Sequence, residues 1–170
     1  TSIIENMIIE DHLDLALVEG PLHSPHIVEE DYCDDNLVFI ISPQHPLARP
    51  GILTAQALEN QRFLVREVGS GTQDIFEHAL QGAGVTWKIA GVYNNNEAIK
   101  QAVSAGIGLA VVSEISIKDE VRQGKIVAFQ VEGISLNRKF HIIYHKHKFF
   151  TRAMQLFRAL CHAVRGCGAG

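Results

Sequence analysis

Cysteine is scarce in this chain of 170 residues: Cys33, Cys161 and Cys167 form no CxxC pair and no paired framework. An odd count of that kind points to a reducing, cytoplasmic setting. No apolar run approaches the ~18 residues of a membrane span. No signal-peptide pattern opens the sequence. Neither sign of charge dominates: 15 Lys and Arg against 19 Asp and Glu leave a net charge of −4. That balance argues against a nucleic-acid-binding surface of the chain's own, which needs clustered Lys and Arg. Arg138, Lys139, His145, Lys146, His147 and Lys148 form one local basic group, read as a solvated strand end. Low complexity and internal repeats are missing too. The remaining composition, 46% hydrophobic and 20% charged, is that of an ordinary globular protein of one domain or two small ones.

Hydrophobic periodicity divides the chain into alternating elements. Ile3, Ile4, Met7 and Ile8 recur at helical spacing over residues 2–11. Residues 14–18 read as a strand ended by Glu19, Gly20 and Pro21, and residues 21–35 as a polar, turn-rich stretch. Residues 37–41 form a second strand, stopped by Ser42 and Pro43. Pro43, Pro46 and Pro50 make an extended connector, and Thr54 opens a short helical turn. Strands follow at 63–66, 87–93, 109–112, 126–131 and 139–146. Helices fill 72–81, 97–104 with an asparagine cap, 113–123 and 149–164, the last with Ala153, Leu156, Phe157 and Leu160 inside. The tail 166–170 reads as frayed. Strands alternating with helices imply an α/β fold with a mostly parallel sheet. Ligands in such sheets gather at the carboxyl ends of strands.

The most informative stretch is Phe63 to Thr72, where an apolar strand breaks into the turn Gly69, Ser70, Gly71, Thr72 and a helix follows with Ile75, Phe76, Ala79 and Leu80 on one face. Backbone N–H groups and the positive end of the helix dipole make such a turn an anion cradle. Glycines let backbone approach a ligand, and the Ser70 and Thr72 hydroxyls add donors. The same pattern also suits a tight turn with a Ser or Thr cap. Two further strand ends couple to polar helix starts, at Asn94–Glu97 and Ser113–Ser116.

Catalytic signatures are lacking. Ser70 does not stand in a G-x-S-x-G elbow, His45 lies between prolines, and Cys33 sits in a polar loop without a nucleophile pattern. The chain is read as non-enzymatic and without cofactor. His141, His145 and His147 share one strand face by the period of two. With no carboxylate or cysteine beside them in sequence they read as surface histidines rather than metal ligands.

Five stretches in order, Leu13–Gly20, Gln44–Ala48, Phe63–Thr72, Glu97–Ala110 and Arg138–Lys146, together resemble the effector-binding domain of LysR-type transcriptional regulators. The resemblance runs from Thr1 to about Leu160. It implies a type 2 periplasmic-binding-protein-like fold, two α/β subdomains joined by two crossing strands. Subdomain I would hold residues 1–40 and 144–170, and subdomain II residues 41–143. The crossings would be Leu37–Ile41, with Ser42 and Pro43 at the hinge, and Phe140–His145.

The resemblance further implies a small-molecule effector, of anionic character, held between the subdomains. Thr1 and Ser2 would face it from subdomain I, Ser42 and Pro43 from the hinge, Gly69, Ser70, Gly71 and Thr72 from subdomain II, and Ser113 from the cleft floor. Arg66 would add charge, or form a strand-end salt bridge with Glu67 or Glu77. The family's winged helix-turn-helix, linker helix and first strand–helix–strand have no counterpart here. DNA contact is therefore expected only through an absent N-terminal domain, and exposed apolar surface on subdomain I favours self-association. A periplasmic-type receptor for a small anion would share this fold and is the rival reading.

Overall fold

The computed structural model describes residues 1–19 and 22–163. The expected strand stop at Gly20 and Pro21, the end of the last helix at Val164 and the frayed tail lie outside those residues. In chain order the elements are α1 (Ser2–Ile9), β1 (Leu15–Val18), β2 (Ile27–Ile41), β3 (Gly51–Leu53), a 3-10 turn (Ala55–Leu58), β4 (Arg62–Arg66), α2 (Gly71–Gly82) and β5 (Lys88–Tyr93). Then come α3 (Asn96–Ser104), β6 (Ala110–Ser113), a second 3-10 turn (Glu114–Ile117), α4 (Lys118–Arg122), β7 (Val127–Val131), β8 (Asn137–His145) and α5 (Arg152–Ala163). The chain forms two compact units, one of Thr1–Asp35 with the segment from Arg138 onward, the other of Asn36–Asn137. Both divisions fall where β2 and β8 pass from one unit to the other.

In the first unit β8 pairs antiparallel with β1, Leu15 opposite Tyr144 and Val18 opposite His141, and lies beside β2 on its other side. Ile8, Val18 and Ile143 form its small apolar core. The inner face of α1 is Ile4, Glu5 and Ile8, with Ile3 outward. The buried Glu5 carboxylate accepts hydrogen bonds from the backbone N–H groups of His23 (2.9 Å) and Ser24 (2.5 Å), which fixes the loop entering β2.

Residues 27–35 form a strand, not the polar turn region expected. Their charges face cations across the sheet rather than solvent alone: Lys139 binds Asp31 at 2.6 Å, and the buried Arg138 binds Asp35 at 2.7 Å and Glu19 at 3.7 Å. The basic group around residue 138 is thus largely neutralised, Lys148 included, by Asp11 (2.5 Å) and Asp14 (2.6 Å). His141 lies 2.8 Å from Glu29, and His147 falls beyond the end of β8, so the three histidines do not share one strand face. Cys161 is a free buried thiol, whereas Cys33 is disulfide-bonded, so the unpaired state expected for all three cysteines does not hold for Cys33.

The last helix is turned over relative to expectation. Leu156 and Leu160 are 62% and 60% exposed, and Phe157 also faces outward. Met154 and Cys161 point inward instead. A polar hub seats this face: Glu30 accepts from Tyr144 Oη (2.6 Å) and Arg158 Nε (2.7 Å), with His162 Nε2 at 3.3 Å. Helical periodicity located the apolar stripe but not which stripe packs inward.

In the second unit the sheet is mixed rather than mostly parallel. β4 pairs parallel with β5, and Phe63 bridges parallel to Leu109 just before β6. β2 then runs antiparallel to both β6 and β7, and β7 pairs parallel with β3, a strand too short to show in sequence. One glycine makes the β4–β6 approach possible: a Cβ on Gly108 would stand 2.7 Å from the Arg62 carbonyl oxygen. The core on one face joins Phe39, Phe63, Phe76 and Phe129 with Leu53, Leu58 and Leu80. Its rings pack at 5.0 Å (Phe63–Phe76), 4.9 Å (Phe76–Trp87) and 5.5 Å (Phe39–Phe129), offset or edge-on as aromatic quadrupoles favour. Ile99, Val103, Val112 and Ile117 fill the other face. Phe63 is fully buried at the meeting of β4, α2 and β6. Phe63→Ala should therefore cost about 3–5 kcal/mol in urea unfolding; a loss under about 1 kcal/mol would contradict this packing.

Candidate functional site

Parallel pairing sends the carboxyl ends of β4, β5 and the β6 region to one edge of the second unit's sheet. Arg66, Tyr93 and Ser113 end these strands, and each leads into a helical start, Gly71, Asn96 and Glu114. Gly69 has φ +88°, a left-handed conformation that glycine adopts without penalty, and it reverses the chain between β4 and α2. Ser70 N–H closes the turn onto the Glu67 carbonyl at 3.2 Å.

Ser70 occupies the cap position of α2 with extended backbone, yet its side chain makes no capping hydrogen bond. It is 7% exposed, and Gly71 and Thr72 beside it are also buried. The start of α3 is different: Asn95 Oδ1 accepts from Ala98 N–H at 2.8 Å. The first N–H groups of a helix lack intrahelical acceptors and attract negative charge, and α2 presents them with a buried hydroxyl not used for capping.

Arg66 resolves in favour of the salt bridge. Nε meets Glu67 Oε2 and Nη2 meets Glu67 Oε1, both at 2.9 Å. Nη1 donates to Asn96 Oδ1 at 3.0 Å and Nη2 to the Asn94 carbonyl at 3.4 Å. Hydrogen bonding from Arg66 holds the Glu67 carboxyl below the usual glutamate range, against a smaller opposing effect of burial. Gln73, which sequence reasoning passed over, accepts from Arg66 N–H (3.2 Å) and donates to Glu77 (2.6 Å), bracing α2 against β4. Asn96 was likewise missed as an Arg66 partner; the contact spans 30 residues and no local spacing signals it. Lys100 ties α3 to the segment after Ser113 through the Ser116 carbonyl (3.1 Å) and Glu120 (2.6 Å).

Ser42 and Pro43 follow β2 within the second unit. Antiparallel pairing sets Leu37 opposite Ser113 and Ile40 opposite Ala110, so β2 reaches Ser42 at the sheet edge away from Ser113. There the buried Ser42 hydroxyl donates to Gln44 Oε1 (2.5 Å) and reaches the Ser104 carbonyl at the end of α3 (3.5 Å). The unit division falls earlier in β2, between Asp35 and Asn36. The proline follows the end of β2. Thr1 and Ser2 cap and open α1 in the first unit, Thr1 without a side-chain capping bond. The structure thus gathers Arg66, Gly69, Ser70, Gly71, Thr72 and Ser113 at one edge of the second unit and separates Ser42 and Pro43 from them.

A mixed sheet with helices on both faces and strand ends gathered at one edge is the α/β fold of the periplasmic-binding-protein-like, type 2 class. The family model described as LysR substrate binding domain matches residues 1–166, and the chain belongs to that family. It is 32% identical to the uncharacterized HTH-type transcriptional regulator YeiE of Escherichia coli K12, over 91% of this chain and 52% of that protein. It is 34% identical to the RuBisCO operon transcriptional regulator of Allochromatium vinosum, over 89% and 50%. The chain thus spans about half the length of the curated relatives it matches. Among solved structures, the regulatory domain of Synechocystis PCC6803 CcmR in complex with 2-PG superposes with a TM-score of 0.89 at 24% identity, covering 99% of this chain and 81% of that one. The effector binding domain of QuiR in complex with shikimate gives 0.85 at 16% identity, over 96% and 77%.

The contrast between the two helix starts is testable. Asn95→Ala should lower stability by about 1 kcal/mol, the usual loss of a working cap. Ser70→Ala should stay within about 0.5 kcal/mol of the parent chain, because no capping bond is lost. Equal losses in chemical denaturation would contradict the assignment of Ser70 as an uncommitted hydroxyl.

Proposed function

We propose that this chain is the effector-sensing domain of a LysR-type transcriptional regulator, and that the strand-end edge of the second unit is one wall of its effector site. The observation that carries this is Ser70: a buried hydroxyl at a helix start, released from capping. The ligand is a small oxyanion, a carboxylate or phosphate ester, bound by neutral donors at the start of α2 and by the hydroxyls of Ser70, Thr72 and Ser113. Solved relatives carrying 2-PG and shikimate support that class. Residues 1–40 with 144–170 act as subdomain I and 41–143 as subdomain II, with Ser42 and Pro43 at the hinge; the compact units run Thr1–Asp35 with the segment from Arg138 onward, and Asn36–Asn137.

Ligand binding shifts the population of subdomain arrangements through its differential affinity for them. That shift is passed to a winged helix-turn-helix elsewhere in the full protein, which holds the DNA contacts. The chain performs no catalysis and takes no cofactor, and it works in the cytoplasm as a self-associating assembly. No helix among the described residues is long and apolar enough to cross a membrane. The outward Leu156, Phe157 and Leu160 of α5 supply apolar surface for association.

A thermal-shift series with 2-PG, shikimate, sulfate and phosphate tests the reading. At least one anion should raise the melting temperature by mass action, and Thr72→Ala should remove most of that rise. No rise with any of the four, or a rise untouched by Thr72→Ala, would contradict it.

A further inference from the structure

The Arg66–Glu67 pair is unusual for its position. Adjacent residues of a strand point to opposite faces, but β4 ends at Arg66 and Glu67 has already left the strand, so both side chains turn to the same side. The carboxylate grips the guanidinium through two parallel bonds of 2.9 Å, the fork geometry that arginine offers to a ligand carboxylate or phosphate. The two partners are not equally held. The Arg66 side chain is 17% exposed and keeps neutral contacts to Asn96 Oδ1 and the Asn94 carbonyl, whereas that of Glu67 is 43% exposed. The Glu67 backbone is fixed independently, its N–H on the Tyr93 carbonyl at 3.1 Å and its own carbonyl accepting from Ser70 N–H at 3.2 Å. The carboxylate can therefore swing away without moving the turn that carries Ser70 and Gly71.

We propose that Glu67 is a built-in competitor for the effector: its carboxylate occupies Arg66 in the empty protein and is exchanged for an anionic group of the ligand. This rests on the reading of the strand-end edge as an effector wall. A partly exposed ion pair contributes little net stability, so the exchange carries a small penalty. Glu67 is a carboxylate at neutral pH, and Arg66 lowers its pKa further, so the competitor is in place under the conditions where the effector arrives. Glu67 thereby sets the affinity threshold and favours ligands with two coplanar acceptor oxygens over single-oxygen acceptors.

Calorimetric titration of the whole chain with inorganic phosphate separates this proposal from the reading beneath it. Glu67→Gln should bind phosphate about tenfold more tightly than the parent, as expected when a competing state populated about 90% of the time is removed. Adding Arg66→Gln should abolish that gain, while circular dichroism shows both variants folded. Glu67→Gln binding equal to or weaker than the parent would overturn the competitor. If Ser70→Ala still abolished phosphate binding in that case, the effector wall itself would stand. Absence of phosphate binding in parent and variants alike would overturn the competitor, and together with no thermal shift from 2-PG, shikimate or sulfate it would overturn the effector wall as well.

Discussion

The parallel register of β4, with β5 on one side and Leu109 on the other, is the constraint on which the second unit depends. It sends three strand ends to a single edge and starts a helical segment at each. The register in turn requires Gly108, since any side chain there would collide with the Arg62 carbonyl. It also requires the aromatic cluster of Phe63, Phe76 and Trp87, which seats α2 on β4. Packing and turn geometry together, rather than any single motif, bring Ser70 and Gly71 to the place where strand ends gather.

Charge at that edge is arranged so that cation and anion cancel. Arg66 is committed to Glu67, and Lys100 is shared between Glu97 and Glu120. The start of α2 carries backbone N–H groups and the buried Ser70 hydroxyl, at the positive end of the helix dipole. The first unit uses charge differently: Glu30, Asp31 and Asp35 hold β2, β8 and α5 together as cross-strand and helix–sheet contacts.

The parts of the fold legible in the sequence were those driven by burial of apolar runs. Residues 37–41, 63–66 and 109–112 announce themselves as strands because they are enclosed on both faces. Residues 27–35 did not, because their pairing is ionic and the partners lie about a hundred positions away, as with Asp35 and Arg138. The outward stripe of α5 was read as core for a related reason: amphipathicity names two faces, and tertiary contacts choose between them. At the site, the local turn at Gly69–Thr72 was visible from glycine and hydroxyl spacing alone. Sequence alone leaves Arg66 between two roles, because Asn96 and Glu67 select one only after β4, β5 and α3 have assembled. Strand direction, antiparallel here, puts Ser42 at the sheet edge away from Ser113, and an apolar run does not show that direction.

On the proposed function, anions bind at the strand-end edge bearing Ser70, not at the opposite edge and not in the first unit. Amide chemical shifts followed through a phosphate titration test this most directly. The account predicts saturable shifts concentrated at Gly69, Ser70, Gly71, Thr72, Asn96 and Ser113. Shifts confined to Ser42 and Gln44, or to the loop around His26 and His145, would contradict it.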